Sequence, residues 1–301
     1  MSGTGYARGR ARGCGGEKVA SMPLYRFCRP EDIPLIVQAI NASYDIHFPQ
    51  RLPMTVAQFR ADMSLFSLWP SNTMVVLEDK DPIAVIVGTK RPYGCWVAML
   101  GVQLGYQRQG IGRYIVEALT RKLSIIGPRV ISVDIPVDNE GGLAFFKAIG
   151  FDLWTPYWGF EGRPHPVVPE ATRQAHPVKP DVALARYESF HPVPQCWERD
   201  AHTLQLYAGR LTGYAFWEEE AILGYILLHH ATVMDLAVEP HADPVRVGTA
   251  LLARAAAETN GSLRMEKVPE QDPMRPVLEQ AGLTPRQTHF HLGQRIMKKG
   301  A

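Results

Sequence analysis

Short apolar runs of strand length alternate along this chain with longer stretches in which apolar residues recur every three to four positions. The short runs predict strands at 24–28, 73–77, 83–90, 96–102, 130–135 and around 151–160. The longer period predicts helices at 31–43, at 56–68, from about 110 to 123, and at 140–149. Asp79-Lys80-Asp81-Pro82 carries the composition of a hairpin turn between the second and third strands. Residues 162–180 hold Pro164, Pro166, Pro169, Pro177 and Pro180 with few large apolar groups, and they read as a surface linker. The same syntax then returns, with strands expected at 182–190, 212–217, 222–228, 232–238 and 263–268 and helices at 245–258 and 272–281. The pattern divides the chain into a tail at 1–21, a domain at 22–161, the linker at 162–180 and a second domain at 181–301.

The junction between the strand at 96–102 and the following helix carries the most specific chemistry. There the chain reads Gln107-Arg108-Gln109-Gly110-Ile111-Gly112. The first turn of a helix leaves backbone N–H groups without intrahelical partners, and the helix dipole adds partial positive charge, so an anion is favoured at that end. Gly110 and Gly112 lack Cβ atoms and let a diphosphate approach the main chain, while the Gln107 amide is placed to brace the loop. A Walker loop would require Lys and then Ser or Thr after its last glycine, but Arg113-Tyr114 follows here. A dinucleotide fingerprint would need a third glycine where Ile115 stands.

Gln107-x-x-Gly110-x-Gly112 after a strand resembles the acetyl-CoA loop of the GNAT N-acetyltransferase superfamily. After the strand at 130–135, Asn139, a short amphipathic helix through Phe146, and Gly150-Phe151 are similar to that superfamily's second signature. The resemblance covers 24–161 strongly and 181–297 weakly. It implies an α/β (α+β) fold of two tandem GNAT-fold domains, each a mixed, mainly antiparallel sheet flanked by helices. It also implies an acetyltransferase that moves an acetyl group from acetyl-CoA to a primary amine by direct attack in a ternary complex.

On the same resemblance, the pantetheine arm would pair with the backbone of Val102 and Leu104. The pyrophosphate would meet the N–H groups of Gln109, Gly110, Ile111 and Gly112, with Arg108 and Arg113 neutralising charge. Asn139 and Phe146 complete the expected cofactor contacts. Asn139 is also a strong N-cap by residue type, and with Tyr157 it is a catalytic candidate. Phe146 occupies the place where the family carries a proton-donating tyrosine, and a phenyl ring donates no proton. Tyr157, Tyr44, Cys95 or water are the alternatives for that task, although Tyr157 also reads as a packing residue beside Trp154, Trp158 and Phe160. The central strand has no acid, so deprotonation of the amine is expected to run through water. Asp134, Glu140, Asp45 and His47 are the nearest titratable groups in sequence.

The second copy is eroded where the chemistry would lie. With Gly248 set against Gly110 and Gly282 against Gly150, Ala250 falls at the place of Gly112 and Val245 replaces the loop glutamine. Pro244 removes an N–H just before it, and Gln271 stands at the place of Asn139. Pyrophosphate binding is therefore expected only in the first copy, with the second in a supporting role.

At 301 residues and 46% apolar, the chain can bury two ordinary cores. Its net charge is +2, and Arg8, Arg10, Arg12 and Lys18 face only Glu17 within the first 21 residues. The remainder is near neutral, which argues against a nucleic-acid surface. The Gly/Arg-rich start is expected to be a disordered tail, with Met22 a candidate natural start. No run of 18 apolar residues occurs, so no membrane association is expected, and the four unpaired cysteines fit a cytoplasmic location. Neighbouring His229 and His230 point to opposite faces of a strand, and His289 and His291 lack a suitably spaced acid or cysteine, so no metal site is expected. The expected partner is a small-molecule amine, with a homodimer left open. The rival readings are an acyl-CoA-binding pseudoenzyme or interaction module, and a protein N-acetyltransferase acting on lysine or an N-terminus.

Overall fold

A computed structural model describes residues 22–44, 52–166, 173–259 and 261–297. The expected tail at 1–21 and the candidates Asp45 and His47 lie outside the described residues.

The first half runs β1 (Leu24–Phe27), α1 (Ile33–Tyr44), α2 (Val56–Phe66), β2 (Leu68–Glu78), β3 (Asp81–Thr89), β4 (Cys95–Val102), α3 (Ile111–Ile126), β5 (Val130–Pro136), α4 (Glu140–Ala148) and β6 (Asp152–Gly162). The second half runs β7 (Ala175–Val178), α5 (Pro180–Leu184), α6 (Tyr187–Phe190), α7 (Ala201–Tyr207), β8 (Thr212–Glu218), β9 (Ala221–His229), β10 (Thr232–Val238), α8 (Pro244–Glu258), β11 (Leu263–Pro269), α9 (Met274–Gln280) and β12 (Thr284–Arg295).

All of these strands join one 12-stranded sheet in the order β1-β2-β3-β4-β5-β12-β6-β11-β10-β9-β8-β7. The last strand of the second half thus sits between β5 and β6 of the first, antiparallel to both. Strand β6 in turn pairs with β11. Each half therefore lends a strand to the sheet of the other, and the sheet passes through both without a break.

Parallel pairing occurs at two places and is brief at both. Strand β4 meets β5 over Cys95 to Val97 and then diverges, while β10 meets β11 only at Thr232 and Arg264. Each divergence leaves a cleft in the sheet, and the backbone groups along its walls need other partners.

Two cores form in each half, one on each face. Helix α3 sends Ile111, Ile115, Val116, Leu119 and Leu123 onto Val97, Ile131, Val133 and Ile135. Their spacing forms a single apolar stripe of the kind that buries a helix on a sheet. Helix α1 covers the other face through Ile36, Val37 and Ile40 against Val75, Val85 and Val87.

Several segments differ from their sequence-based expectation. Residues 182–190, expected as a strand, are α5 and α6, because Ala183, Leu184, Tyr187 and Phe190 are buried at helical spacing behind Pro180 at the helix start. Within the expected linker, 175–178 forms β7 on β8. Pro177 is tolerated there because β7 is an edge strand with one side unpaired. Helix α7 and strand β12 had no counterpart in the expected elements, and β12 is polar enough to hide its central position.

Candidate active site

The sequence places a helix start after β4, and the structure adds how the intervening loop is held. Gln107 Nε2 donates to the Val102 carbonyl at 2.9 Å, the brace expected of it, and Gln109 Nε2 donates to the Gly105 carbonyl at 2.9 Å. Val102 thus has one acceptor position of its carbonyl engaged by the loop itself. Leu104 is exposed on a short turn. Arg108 and Gly110 both take left-handed backbone conformations, at φ 59° and 85°. A Cβ on Gly110 would meet open space, so its glycine is required by backbone angle, whereas a Cβ on Gly112 would make ordinary contact with Phe145 at 3.4 Å. Arg113 lies on the surface and reaches Glu117 at 3.9 Å and the Ala148 carbonyl at 3.4 Å.

The two helix starts differ in one decisive respect. Gly110 caps α3 with no side-chain hydrogen bond, so the donors of its first turn, Ile111 and Gly112 among them, face outward unclaimed by a cap. At α8 the Asp243 carboxylate accepts from the N–H groups of Val245 and Arg246 at 3.0 and 3.1 Å. The second copy has filled its anion position with its own carboxylate, and a phosphate would meet both a lost donor at Pro244 and a like charge. The helix starts set Asp243, not Gly248, against Gly110, so Pro244 and Val245 fall at the places of Ile111 and Gly112. Gly248 lies inside α8, and the expected pairing of Gly248 with Gly110, Ala250 with Gly112 and Val245 with Gln107 is five residues out of register. Ahead of α9 the Asp272 carboxylate accepts from Met274 N at 2.8 Å, while Gln271, set by sequence at the place of Asn139, accepts from the Thr155 hydroxyl at 3.0 Å.

Asn139 caps α4, its Oδ1 accepting from Gly142 N at 2.9 Å, and a Cβ on Gly142 would collide with it at 2.7 Å. Phe146 is buried in the core under α3, its ring edge-on to Phe145 and Phe151 at 5.1 and 5.0 Å. Cys95 lies in the same core, and burial pushes its thiol up to about 12, so it has no path to a leaving thiolate. Tyr44 places its hydroxyl against Leu100, accepting from its N–H and donating to its carbonyl, both at 3.0 Å. Leu100 lies beyond the last β4–β5 rung, so Tyr44 satisfies backbone that lines the cleft. Glu140 is exposed in the first turn of α4.

At the crotch of that cleft the structure gathers groups that sequence spacing could not. Val97 and Val133 form the last rung, and Asp134 is the next residue on β5. It faces away from the α3 core, its side chain 3% exposed. Its carboxylate receives Lys267 Nζ from β11 at 3.0 Å and His291 Nδ1 from β12 at 2.6 Å. Lys267 also bonds Glu198 and lies 5.4 Å from the centre of the Trp96 ring. Tyr157 is buried with its ring 5.2 Å from that of His291. Sequence spacing offered His291 no acid, and the structure supplies Asp134 because β12 crosses into the first half.

Opposing forces set the charges in this cluster. Burial alone would raise the Asp134 pKa, but Lys267 and His291 overcome it and hold the carboxyl well below the usual range. Burial would lower the Lys267 pKa, and Asp134 and Glu198 raise it instead. Burial and the Asp134 charge push the Tyr157 hydroxyl far up. Burial and Lys267 push His289 down to about 4. With β5 aligned on β11 through their terminal prolines, Asp134 and Lys267 are equivalent positions of the two copies. The pair therefore joins the two halves.

The second half has an acid on its own central strand. Asp235 on β10 is fully buried against Tyr225 OH at 2.8 Å, His191 Nε2 at 3.0 Å and Arg199 at 3.5 Å. Burial raises its pKa despite His191 and Arg199. It is enclosed by its partners and open to no ligand. Among the described residues, no three His, Cys, Asp or Glu side chains group as metal ligands, and no helix is long and apolar enough to cross a membrane.

The sheet thus splays between β4 and β5, with a helix start that carries no side-chain cap beside the splay. Residues 37–151 match the model of the acetyltransferase (GNAT) family. Among curated proteins, "Probable N-acetyltransferase 14" of Danio rerio is 32% identical over 74 residues, which is 25% of this chain. The matched part spans about a quarter of that relative, 26% of its length. Among solved structures, a GCN5-related N-acetyltransferase from Sphaerobacter thermophilus aligns over 93% of this chain and 97% of its own, at 12% identity and TM-score 0.62. A tandem GNAT protein from the clavulanic acid biosynthesis pathway aligns over 93% of this chain and 99% of its own, at 14% identity and TM-score 0.57. Residues 37–151 thus carry the match to the acetyltransferase (GNAT) family, and the whole length has the fold of a tandem GNAT protein.

Proposed function

We propose that the first half binds acetyl-CoA at 107–112 and transfers the acetyl group to a primary amine of a small molecule. The acetyl donor and the amine would meet in one ternary complex, with the amine nitrogen attacking the thioester carbonyl directly. The observation that carries the reading is the contrast between the two helix starts. Gly110, at φ 85°, leaves the first turn of α3 free of any side-chain cap, whereas Asp243 occupies the same position of α8. An anion gains from the free donors and the dipole at α3 and meets a carboxylate at α8. The loop amides of Gln107 and Gln109 hold the α3 site in shape without occupying it.

Calorimetric titration with acetyl-CoA tests the binding step, with one site per chain expected. Thiol release measured across a panel of small amines and a lysine peptide then tests transfer. Binding with release only on small amines supports the proposal, and release only on the peptide favours a protein substrate. Binding without release would make the chain an acyl-CoA-binding module, a reading favoured by the core position of Phe146 where the family has a tyrosine. A chain that binds no acetyl-CoA refutes the proposal.

A further inference from the structure

We propose that His291, supplied by the second half, is the base that deprotonates the acceptor amine, and that Asp134 positions it. The inference rests on the acetyl-transfer reading above, and it gives the eroded copy a chemical task in the intact one.

The geometry has three parts. Strand register sets His291 of β12 opposite Asp134, and Asp134 is one step beyond the last rung that joins β4 to β5, so the bonded pair reaches the crotch of the cleft through Asp134. Asp134 accepts from Nδ1–H at 2.6 Å, which fixes the tautomer and leaves the lone pair on Nε2. Among the described residues Nε2 has no hydrogen-bond partner, and the side chain is 18% exposed while that of Asp134 is 3% exposed. A buried carboxylate that orients an imidazole with its far nitrogen open is the arrangement of a general base. Trp154 and Tyr157 hold the ring from two sides, at 5.4 and 5.2 Å between centres.

The charge of the cluster also fits an ammonium. The charged and titratable groups around the ring are Asp134 from β5, Lys267 from β11, Cys196, Glu198 and Arg199 in and before the turn at Trp197–Arg199, Tyr157 from β6 and His289 on its own strand, with Asp138 and Arg286 beyond His289. Asp134 and Glu198 set two carboxylates against the Lys267 ammonium, while Arg199 is paired with Asp235. An incoming R–NH3+ is attracted there and gives one proton to His291 Nε2. The freed lone pair forms the C–N bond at the thioester carbonyl, the C–S bond breaks, and the departing thiolate takes a proton from solvent. His291 returns its proton to solvent, which completes the balance of acetyl-CoA and amine to amide and free thiol.

His291→Gln is the test, made in the full chain and checked for folding by thermal melting. We expect the same acetyl-CoA affinity by calorimetry, a fall in kcat on the order of 100-fold, and loss of the wild-type decline in rate toward acid pH. His289→Gln, two residues along and unbonded to Asp134, should keep that decline. Independently of turnover, nitrogen-15 NMR of the wild type should show His291 as the Nδ1–H tautomer. An unchanged kcat and pH profile in His291→Gln, with the wild type turning over, overturns this inference and leaves acetyl transfer standing. An Nε2–H tautomer also overturns it. A wild type that binds acetyl-CoA yet releases no thiol with any amine overturns both.

Discussion

The pair Asp134–Lys267 offers a direct measure of what binds the two halves, and Lys267→Met is the cleanest perturbation. The side chains are 3% and 15% exposed and approach to 3.0 Å. At an effective dielectric of about 20, that separation gives a gross attraction of about 5 kcal/mol. Desolvation offsets much of it, so the pair itself is worth less than that figure. Removing one partner is a different matter, because Asp134 would stay buried with His291 as its remaining partner. Losses of about 3–5 kcal/mol are usual for a buried charge stripped in this way, and the shared Glu198 contact places this site within that range. Equilibrium urea unfolding followed by tryptophan fluorescence reads the change as a shifted midpoint at constant slope.

The double variant Asp134→Leu/Lys267→Met should recover most of the loss, since apolar replacement of a buried pair is often neutral. The pH dependence has a definite sign. Asp134 has a folded pKa below its unfolded value of about 3.9, so its contribution is present above about pH 4 and fades as pH falls through the folded value. Lys267 has a folded pKa above its unfolded value of about 10.4, so its contribution holds at neutral pH and fades only in strong alkali. The gap between wild type and Lys267→Met should therefore be flat from about pH 5 to 9 and shrink in acid. A single-variant loss under about 1 kcal/mol, or a double variant equal to the sum of the singles, would refute the reasoning.

Three further outcomes are expected. Gly110→Val should abolish acetyl-CoA binding by calorimetry, because a β-branched residue at φ 85° is strained and its methyls enter the anion position, whereas Gly112→Ala should keep binding since its Cβ makes only ordinary contacts. Asp243→Ala should lower stability by about 1 kcal/mol in urea unfolding through loss of a cap, without adding a second acetyl-CoA site, because Pro244 still lacks a donor. A chain ended at residue 166 should aggregate in size-exclusion chromatography, since β12 would no longer cover β5 and β6; a monomeric, folded fragment would show that the exchanged strand is dispensable.

Sequence by itself determined what depends on near neighbours. Helical and strand periods located most elements because the apolar stripe of α3 or the alternation of a strand is a property of a short window. The phosphate loop was legible for the same reason, as Gln107, Gly110 and the start of α3 act within six residues of each other. Pro244 announced the erosion of the second copy, whereas only the structure shows that α8 begins there and that Asp243 fills the anion position.

Tertiary structure decided what depends on which strands become neighbours. Nothing local in β12, whose sequence is Thr-Pro-Arg-Gln-Thr-His-Phe-His-Leu-Gly-Gln-Arg, shows that it fills a gap between β5 and β6. Its histidines and polar residues obscure the apolar alternation of a buried strand because they serve the ionic cluster. Asp134, Lys267 and His291 lie 133 and 157 residues apart in the bonds they make, and no spacing rule reaches so far. The cofactor loop is written in one turn of chain, whereas the candidate base exists only because two halves of one sheet exchange strands.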